Sequence, residues 1–141
     1  MKAVIVGCGR AGSRVALKLA EEGWDVTCID EDENALSRLG AWRGGFVVGH
    51  GMDIAILEES GVPDADAVVV STDGDNSNLV IGQVIQRRWD PICVVVRVQD
   101  PARADFFAQR GLRTVCPTQT TAATMLDAVR ACDAATNGAG V

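Results

Sequence analysis

The chain has 141 residues, 48% of them hydrophobic and 23% charged, with a formal net charge of −6. That length suits one domain whose core is large enough to fold without a disulfide or a metal, and the composition is globular, not disordered. The acidic balance excludes nucleic acid as a general partner, because phosphate binding needs Lys and Arg to displace counterions, and it disfavours an anionic membrane surface.

The first apolar run, Ala3–Val6, reads as a strand and leads directly into Gly7-Cys8-Gly9-Arg10-Ala11-Gly12. A strand, then G-x-G-x-x-G, then a helix is the phosphate-binding turn of dinucleotide-binding folds. Gly7 permits the tight turn, Gly9 lets the backbone approach a pyrophosphate, and Gly12 lets helix and strand pack closely. The helix start adds free N–H groups and the positive end of its dipole. Cys8, Arg10 and Ala11 complete the turn, and Arg10, which the fold does not require, points out where phosphates gather. The helix itself shows Val15, Ala16, Leu19 and Ala20 at helical spacing and stops before Gly23.

The second strand, Val26–Asp30, ends on an acid about 20 residues past the turn, where a ribose hydroxyl is expected to donate. Glu31 is grouped with the site, while Asp32 and Glu33 read as a solvated turn and a helix start. This acidic cluster repels a 2′-phosphate, which argues against NADP. A third strand, Gly45–Val48, leads into Gly49-His50-Gly51-Met52-Asp53. Small residues there let a flat ring lie on the backbone, and Asp53 reads as the N-cap of a helix over Ile54–Ser60. His50, the only histidine, reads as lining a pocket or facing solvent rather than as catalytic, since no orienting partner can be assigned.

The fourth strand, Ala67–Ser71, opens onto Ser71-Thr72-Asp73-Gly74-Asp75-Asn76-Ser77-Asn78. Ser71, Thr72, Asp73 and Asn78 are placed in the site, because loops at the carboxyl ends of strands carry ligands in open α/β sheets. Asp73 and Asp75 read equally as a metal or acid–base pair and as a turn with a helix cap. The next helix carries Val80, Ile81, Val84 and Ile85. The fifth strand, Ile92–Arg97, ends on Arg97, a plausible phosphate contact. Asp100-Pro101 then supplies a cap and a first-turn proline, Gly61 and Gly111 mark helix ends, and the sixth strand is Arg113–Cys116. A last helix beginning at Thr118 carries Ala122, Met125, Leu126 and Val129 as one apolar stripe. Residues 1–133 form one nucleotide-binding domain, and 134–141 read as a small, flexible tail.

Strands this continuous and this rich in Val and Ile belong to a parallel sheet covered on both faces. The expected fold is therefore α/β, a doubly wound parallel sheet of Rossmann-like type with about six strands and helices on both faces. Cys8, Cys28, Cys93, Cys116 and Cys132 are odd in number and include no C-x-x-C, so they read as structural thiols in a reducing compartment. Trp24, Trp42 and Trp89 fall at element ends and read as packing residues. There is no tyrosine, hence no Tyr–Lys dehydrogenase pair. No serine sits in a nucleophile elbow. No catalytic residue and no metal ligand is assigned. No signal peptide and no membrane-spanning run is read.

Six segments in this order resemble the N-terminal domain of the RCK family, the regulators of potassium conductance of Trk and Ktr uptake systems, from Met1 to about Ala131. They are the glycine turn, Cys28-Ile29-Asp30-Glu31-Asp32, Gly49-His50-Gly51-Met52-Asp53, Ala65-Asp66-Ala67-Val68-Val69-Val70, Asp73 to Leu79, and Val96-Arg97-Val98-Gln99-Asp100-Pro101. The resemblance implies a non-enzymatic, cytoplasmic, homo-oligomeric subunit, dimer or ring, peripheral to the inner membrane through its partner. Such a subunit binds NAD(H) or ATP/ADP and passes its ligand state to a membrane potassium channel or transporter. The resemblance also implies that Arg10 reaches nucleotide phosphates and that the last helix is exchanged between subunits. The family has an acidic or amide residue followed by alanine where this chain has His50-Gly51, and it carries a further C-terminal ligand-binding domain. The competing function is the cofactor-binding domain of an NAD-dependent oxidoreductase, which the missing catalytic residues disfavour.

Overall fold

The computed structural model describes residues 1–138. In chain order the strands are β1 (Lys2–Val6), β2 (Asp25–Asp30), β3 (Gly45–Val48), β4 (Ala67–Val70), β5 (Cys93–Arg97) and β6 (Arg113–Val115). The helices are α1 (Arg10–Glu21), α2 (Ile54–Glu59), α3 (Asp75–Arg88), α4 (Pro101–Ala108) and α5 (Pro117–Gly138), with 3-10 turns at Glu33–Leu39 and Val62–Asp64. The strands form one parallel sheet in the order β3-β2-β1-β4-β5-β6. The chain thus starts in the middle, winds outward to β3, and returns past β1 to wind out the other way.

Two apolar cores follow from that winding. On one face Ala3, Ile5, Val26 and Cys28 meet Ala16 of α1 and Ala35 and Leu39 of the first 3-10 segment. On the other, Val4, Val6, Val68, Val70, Val94 and Val96 meet Leu57 of α2, Leu79, Ile81 and Ile85 of α3, and Ala104 of α4. The predicted doubly wound, Rossmann-like α/β sheet with helices on both faces is the observed architecture. Cover on the first face lies mainly over β1–β3. Beyond it Val69 and Val95 are half-buried, and Val115 is exposed.

Local signals explain the element ends. Asp53 accepts the Ala55 N–H (2.9 Å), and Asp100 accepts the Arg103 N–H (3.0 Å), so both aspartates cap as expected. Gly23, Gly61 and Gly111, which close helical segments, have positive φ. Trp24, Trp42 and Trp89 pack against the cores.

Several expectations need correction. Ser71, Ile92 and Cys116 lie just outside their strands, and Ile92 is 81% exposed. On α1 the buried positions are Gly12, Ser13 and Ala16, while Val15 and Ala20 are exposed. Helix and strand approach closely there, and small residues fill the contact. Val80 on α3 is likewise exposed. The last helix begins at Pro117 and remains helical to Gly138, past the Ala134 boundary drawn for the tail. Residues 139–141 of that tail lie outside the described residues. Among the described residues of α5 none is buried.

Candidate functional site

The strand order reverses between β1 and β4, and open α/β sheets bind ligands in the crevice at the carboxyl ends of such a pair. A cleft of about 360 Å³ lies there. Its lining brings together Gly7, Gly9, Asp30, Glu31, Gly49, His50, Gly51, Ser71, Thr72 and Asp73, all expected from sequence.

The glycine turn is fixed by three different requirements. Gly7 has φ +94°, and a Cβ on it would stand 2.7 Å from the Ser71 carbonyl. A Cβ on Gly12 would strike the Gly7 carbonyl oxygen, so helix α1 sits on the turn only because residue 12 has no side chain. A Cβ on Gly9 would meet nothing within 4 Å. Packing inside the protein therefore does not explain Gly9, which lines the cleft.

Asp30 ends β2 beside that turn. Its Oδ2 accepts the Cys8 N–H (2.8 Å) and its Oδ1 accepts the Asp32 N–H (2.9 Å). One carboxylate thereby clamps the glycine turn to the end of β2. A carboxylate offers roughly four lone-pair sites, so capacity remains for a ligand hydroxyl. Beneath the turn, the Cys28 thiol is raised far above its ordinary range by a hydrogen bond with Cys8 and by burial. Both cysteines are buried and free, which agrees with structural thiols and leaves Cys28 protonated.

On the β3 side, Gly51 is buried, and a Cβ there would collide with Val6. Its small size serves packing as well as the cleft. The Met52 N–H donates to His50 Nδ1 (3.0 Å), and His50 Nε2 lies 3.7 Å from Glu31 Oε1.

On the β4 side, Asn78 is 1% exposed, and its carboxamide is fully used. Its Oδ1 accepts from the Thr72 N–H (3.0 Å) and the Thr72 hydroxyl, and its Nδ2 donates to the Thr72 carbonyl (2.9 Å) and the Arg97 carbonyl (3.0 Å). Asn78 thus fastens the loop after β4 to the end of β5 instead of lining the cleft. Asp73 and Asp75 do not cap α3, whose N-cap is Gly74 without a side-chain hydrogen bond. Asp73 lines the cleft, whereas Asp75 accepts the N–H groups of Gln99 (2.8 Å) and Asp100 (3.0 Å) from the loop after β5. Among the described residues no group of acids, cysteines and histidine is arranged to hold a metal.

Cys8, Arg10, Ala11, Gly12, Met52, Asn78 and Arg97, also expected in the site, do not line the cleft. Arg10, Ala11 and Met52 are exposed, Cys8 and Gly12 are buried within the turn, and Arg97 is half-buried. Sequence reasoning missed Arg38, which lines the cleft and donates through Nη1 to the Cys8 carbonyl (3.4 Å). It also left out Asp32, Gly74 and Ser77, all on the cleft wall. Gly74 and Ser77 stood inside the loop already quoted. Arg38 had no signal, because its reach depends on how the 3-10 segment packs.

Over 127 residues the chain is 39% identical to the Trk system potassium uptake protein TrkA of Streptomyces coelicolor, covering 89% of this chain and 57% of that protein. It spans 57% and 59% of the length of two curated relatives it matches and about half or less of others. Among solved structures, the GsuK channel bound to NAD is similar with a TM-score of 0.81 at 20% identity, covering 95% of this chain and 24% of that one. The Shewanella denitrificans Kef CTD in AMP-bound form gives 0.77 at 20% identity, covering 92% and 80%. The model of the TrkA-N domain matches residues 3–118, and the chain therefore belongs to the TrkA-N domain family.

Proposed function

We propose that this chain is a nucleotide-sensing regulatory domain that binds NAD(H) or ATP/ADP in the cleft and passes its ligand state to a membrane potassium channel or transporter subunit. The observation that carries the reading is Gly9. It stands at the N-terminus of α1, where free N–H groups favour an anion, and it lines the cleft together with Asp30, with no protein atom within 4 Å of where a Cβ would stand. A phosphate at Gly9 and a ribose at Asp30 occupy neighbouring walls of one crevice. The relative from Streptomyces coelicolor is a Trk potassium uptake protein, and similarly folded proteins hold NAD and AMP. A nucleotide switches such a domain only through a difference in affinity between two of its states.

The domain works as a homo-oligomer, a dimer or a ring, on the cytoplasmic side of its membrane partner. Support comes from α5, whose Met125, Leu126 and Val129 are 64%, 53% and 66% exposed. No described helix is long and apolar enough to cross a membrane. The oxidoreductase reading has less support. His50 already has Nδ1 engaged by Met52, and the chain has no tyrosine.

A thermal-shift series with NAD, NADH, ATP, ADP and NADPH, on wild type and Gly9→Ala, tests the reading. A nucleotide at 100 times its Kd stabilises by about 2.7 kcal/mol, and NADPH is expected to be the weakest of the five. Gly9→Ala keeps the unliganded melting temperature and loses the shift. Absence of a shift with all five nucleotides overturns the proposal.

A further inference from the structure

The cleft carries a base-reading pair, and this inference rests on the nucleotide reading above. The sheet order fixes the direction of an adenosine ligand. Phosphates belong at the turn after β1 and the ribose at Asp30 after β2. The base then lies farther out, between the loops that follow β2 and β3. Those loops place Glu31 and His50 on the cleft wall, with side chains 70% and 46% exposed, so a base can reach both.

The hydrogen bonding of His50 decides what it offers. Its Nδ1 accepts the Met52 N–H at 3.0 Å, so the neutral ring carries its proton on Nε2. The opposite tautomer would set one N–H against another. Nε2–H is therefore a donor, and 3.7 Å away stands Glu31 Oε1, an acceptor. That spacing is too long for a hydrogen bond between them, so each keeps its capacity for a ligand. Of the other charged groups nearby, Asp30 holds the Cys8 and Asp32 N–H groups, Asp32 caps Asn34, Asp53 caps Ala55, and Arg38 donates to the Cys8 carbonyl. Asp73 stands on the β4 side of the cleft, across β1 and β2 from His50.

We infer that His50 and Glu31 together select a 6-aminopurine over a 6-oxopurine. On adenine, N1 accepts from His50 Nε2–H, and the 6-amino group donates to the Glu31 carboxylate. On hypoxanthine both positions are reversed. N1–H then faces Nε2–H, and the 6-oxo oxygen faces the carboxylate. Both contacts become mismatched while ribose and phosphates are unchanged.

Calorimetric titration with ADP and with inosine 5′-diphosphate separates these effects, since the two ligands differ only at that edge of the ring. Wild type is expected to bind ADP at least about tenfold more tightly, the loss of one good hydrogen bond in each direction. His50→Ala and Glu31→Gln should each narrow that ratio, with folding checked by thermal melts. The two substitutions lie on different loops, so a disturbance of the Met52 turn in one leaves the other informative. A wild-type ratio near one, with ADP bound, overturns the base reader and leaves the nucleotide reading standing. So does a wild-type ratio retained in both variants. Failure of the wild type to bind either diphosphate overturns the base reader, and the nucleotide reading falls with it only if NAD, NADH and ATP also fail to bind.

Discussion

At the scale of single residues, Asp30 combines a clamp with a proposed ligand contact. We propose it as a ribose ligand from its position after β2, and its two oxygens already hold the N–H groups of Cys8 and Asp32. Removing the side chain would therefore release the glycine turn as well as a ligand contact. Asp30→Asn keeps one acceptor oxygen and turns the other position into a donor facing an N–H. We expect it to weaken NADH and ATP alike by roughly 1.5–3 kcal/mol, the scale of a charge-assisted hydrogen bond, and to lower stability in urea as well. Calorimetry showing unchanged affinity for both nucleotides would remove Asp30 from the site. A loss of stability alone would assign it the clamp and nothing more.

At the scale of elements, the start of α3 is tied to the loop after β5 by Asp75. Burial pushes this carboxyl up, but the Gln99 and Asp100 N–H groups, with Arg103 and Arg97 nearby, hold it below its ordinary value of 3.8. A carboxyl depressed in the folded state stabilises fully above its unfolded pKa, and that contribution fades as pH falls through the folded value. Wild type should therefore exceed Asp75→Asn in stability at neutral pH, with the gap closing as pH falls below about 3.8. Denaturation curves along a pH series read the gap directly, and a gap independent of pH refutes the role.

The tie made by Asp75 was not legible in the sequence, and the reason is physical. Contiguous signals were readable. Runs such as Val4-Ile5-Val6 declare a parallel strand because both faces are covered, and the glycine turn with Asp30 marks the crevice at the carboxyl ends of β1 and β2. Contacts that depend on packing were not. Asp75 meets Gln99 from 24 residues away, and Arg38 meets Cys8 from 30. Asn78 reads as a ligand contact in its loop, but burial turned its carboxamide toward Thr72 and Arg97. Apolar identity also misjudged α1, where Val15 faces water and Gly12 and Ser13 face the sheet.

At the scale of the whole molecule, α5 is the element that the domain does not use. Its 22 residues include no buried position among those described, and burying Met125 and Leu126 would contribute about 1.5–3 kcal/mol each. An isolated helix gains most of its stability from packing one face, so this one suits an oligomer. Sedimentation of wild type is expected to show a dimer or larger species, and the Met125→Glu, Leu126→Glu pair a folded monomer. A wild-type monomer at high concentration, with or without nucleotide, or a double mutant that associates as well as wild type, contradicts that role. A double mutant that unfolds would show that the domain needs its association to stay folded.

The root of α5 shares a loop with the cleft wall. The Thr118 hydroxyl donates to the Gln99 carbonyl (2.8 Å), and the N–H of Gln99 is held by Asp75 in the first turn of α3, flanked by the cleft residues Gly74 and Ser77. At 1.5 Å per residue α5 is a rod about 33 Å long. Hinged at Pro117, a tilt of about 5° would sweep its far end through about 3 Å, from the length that its helical rise sets. Displacements at the crevice too small to reshape the sheet would thus be magnified at the tip, as in the pointer of a gauge.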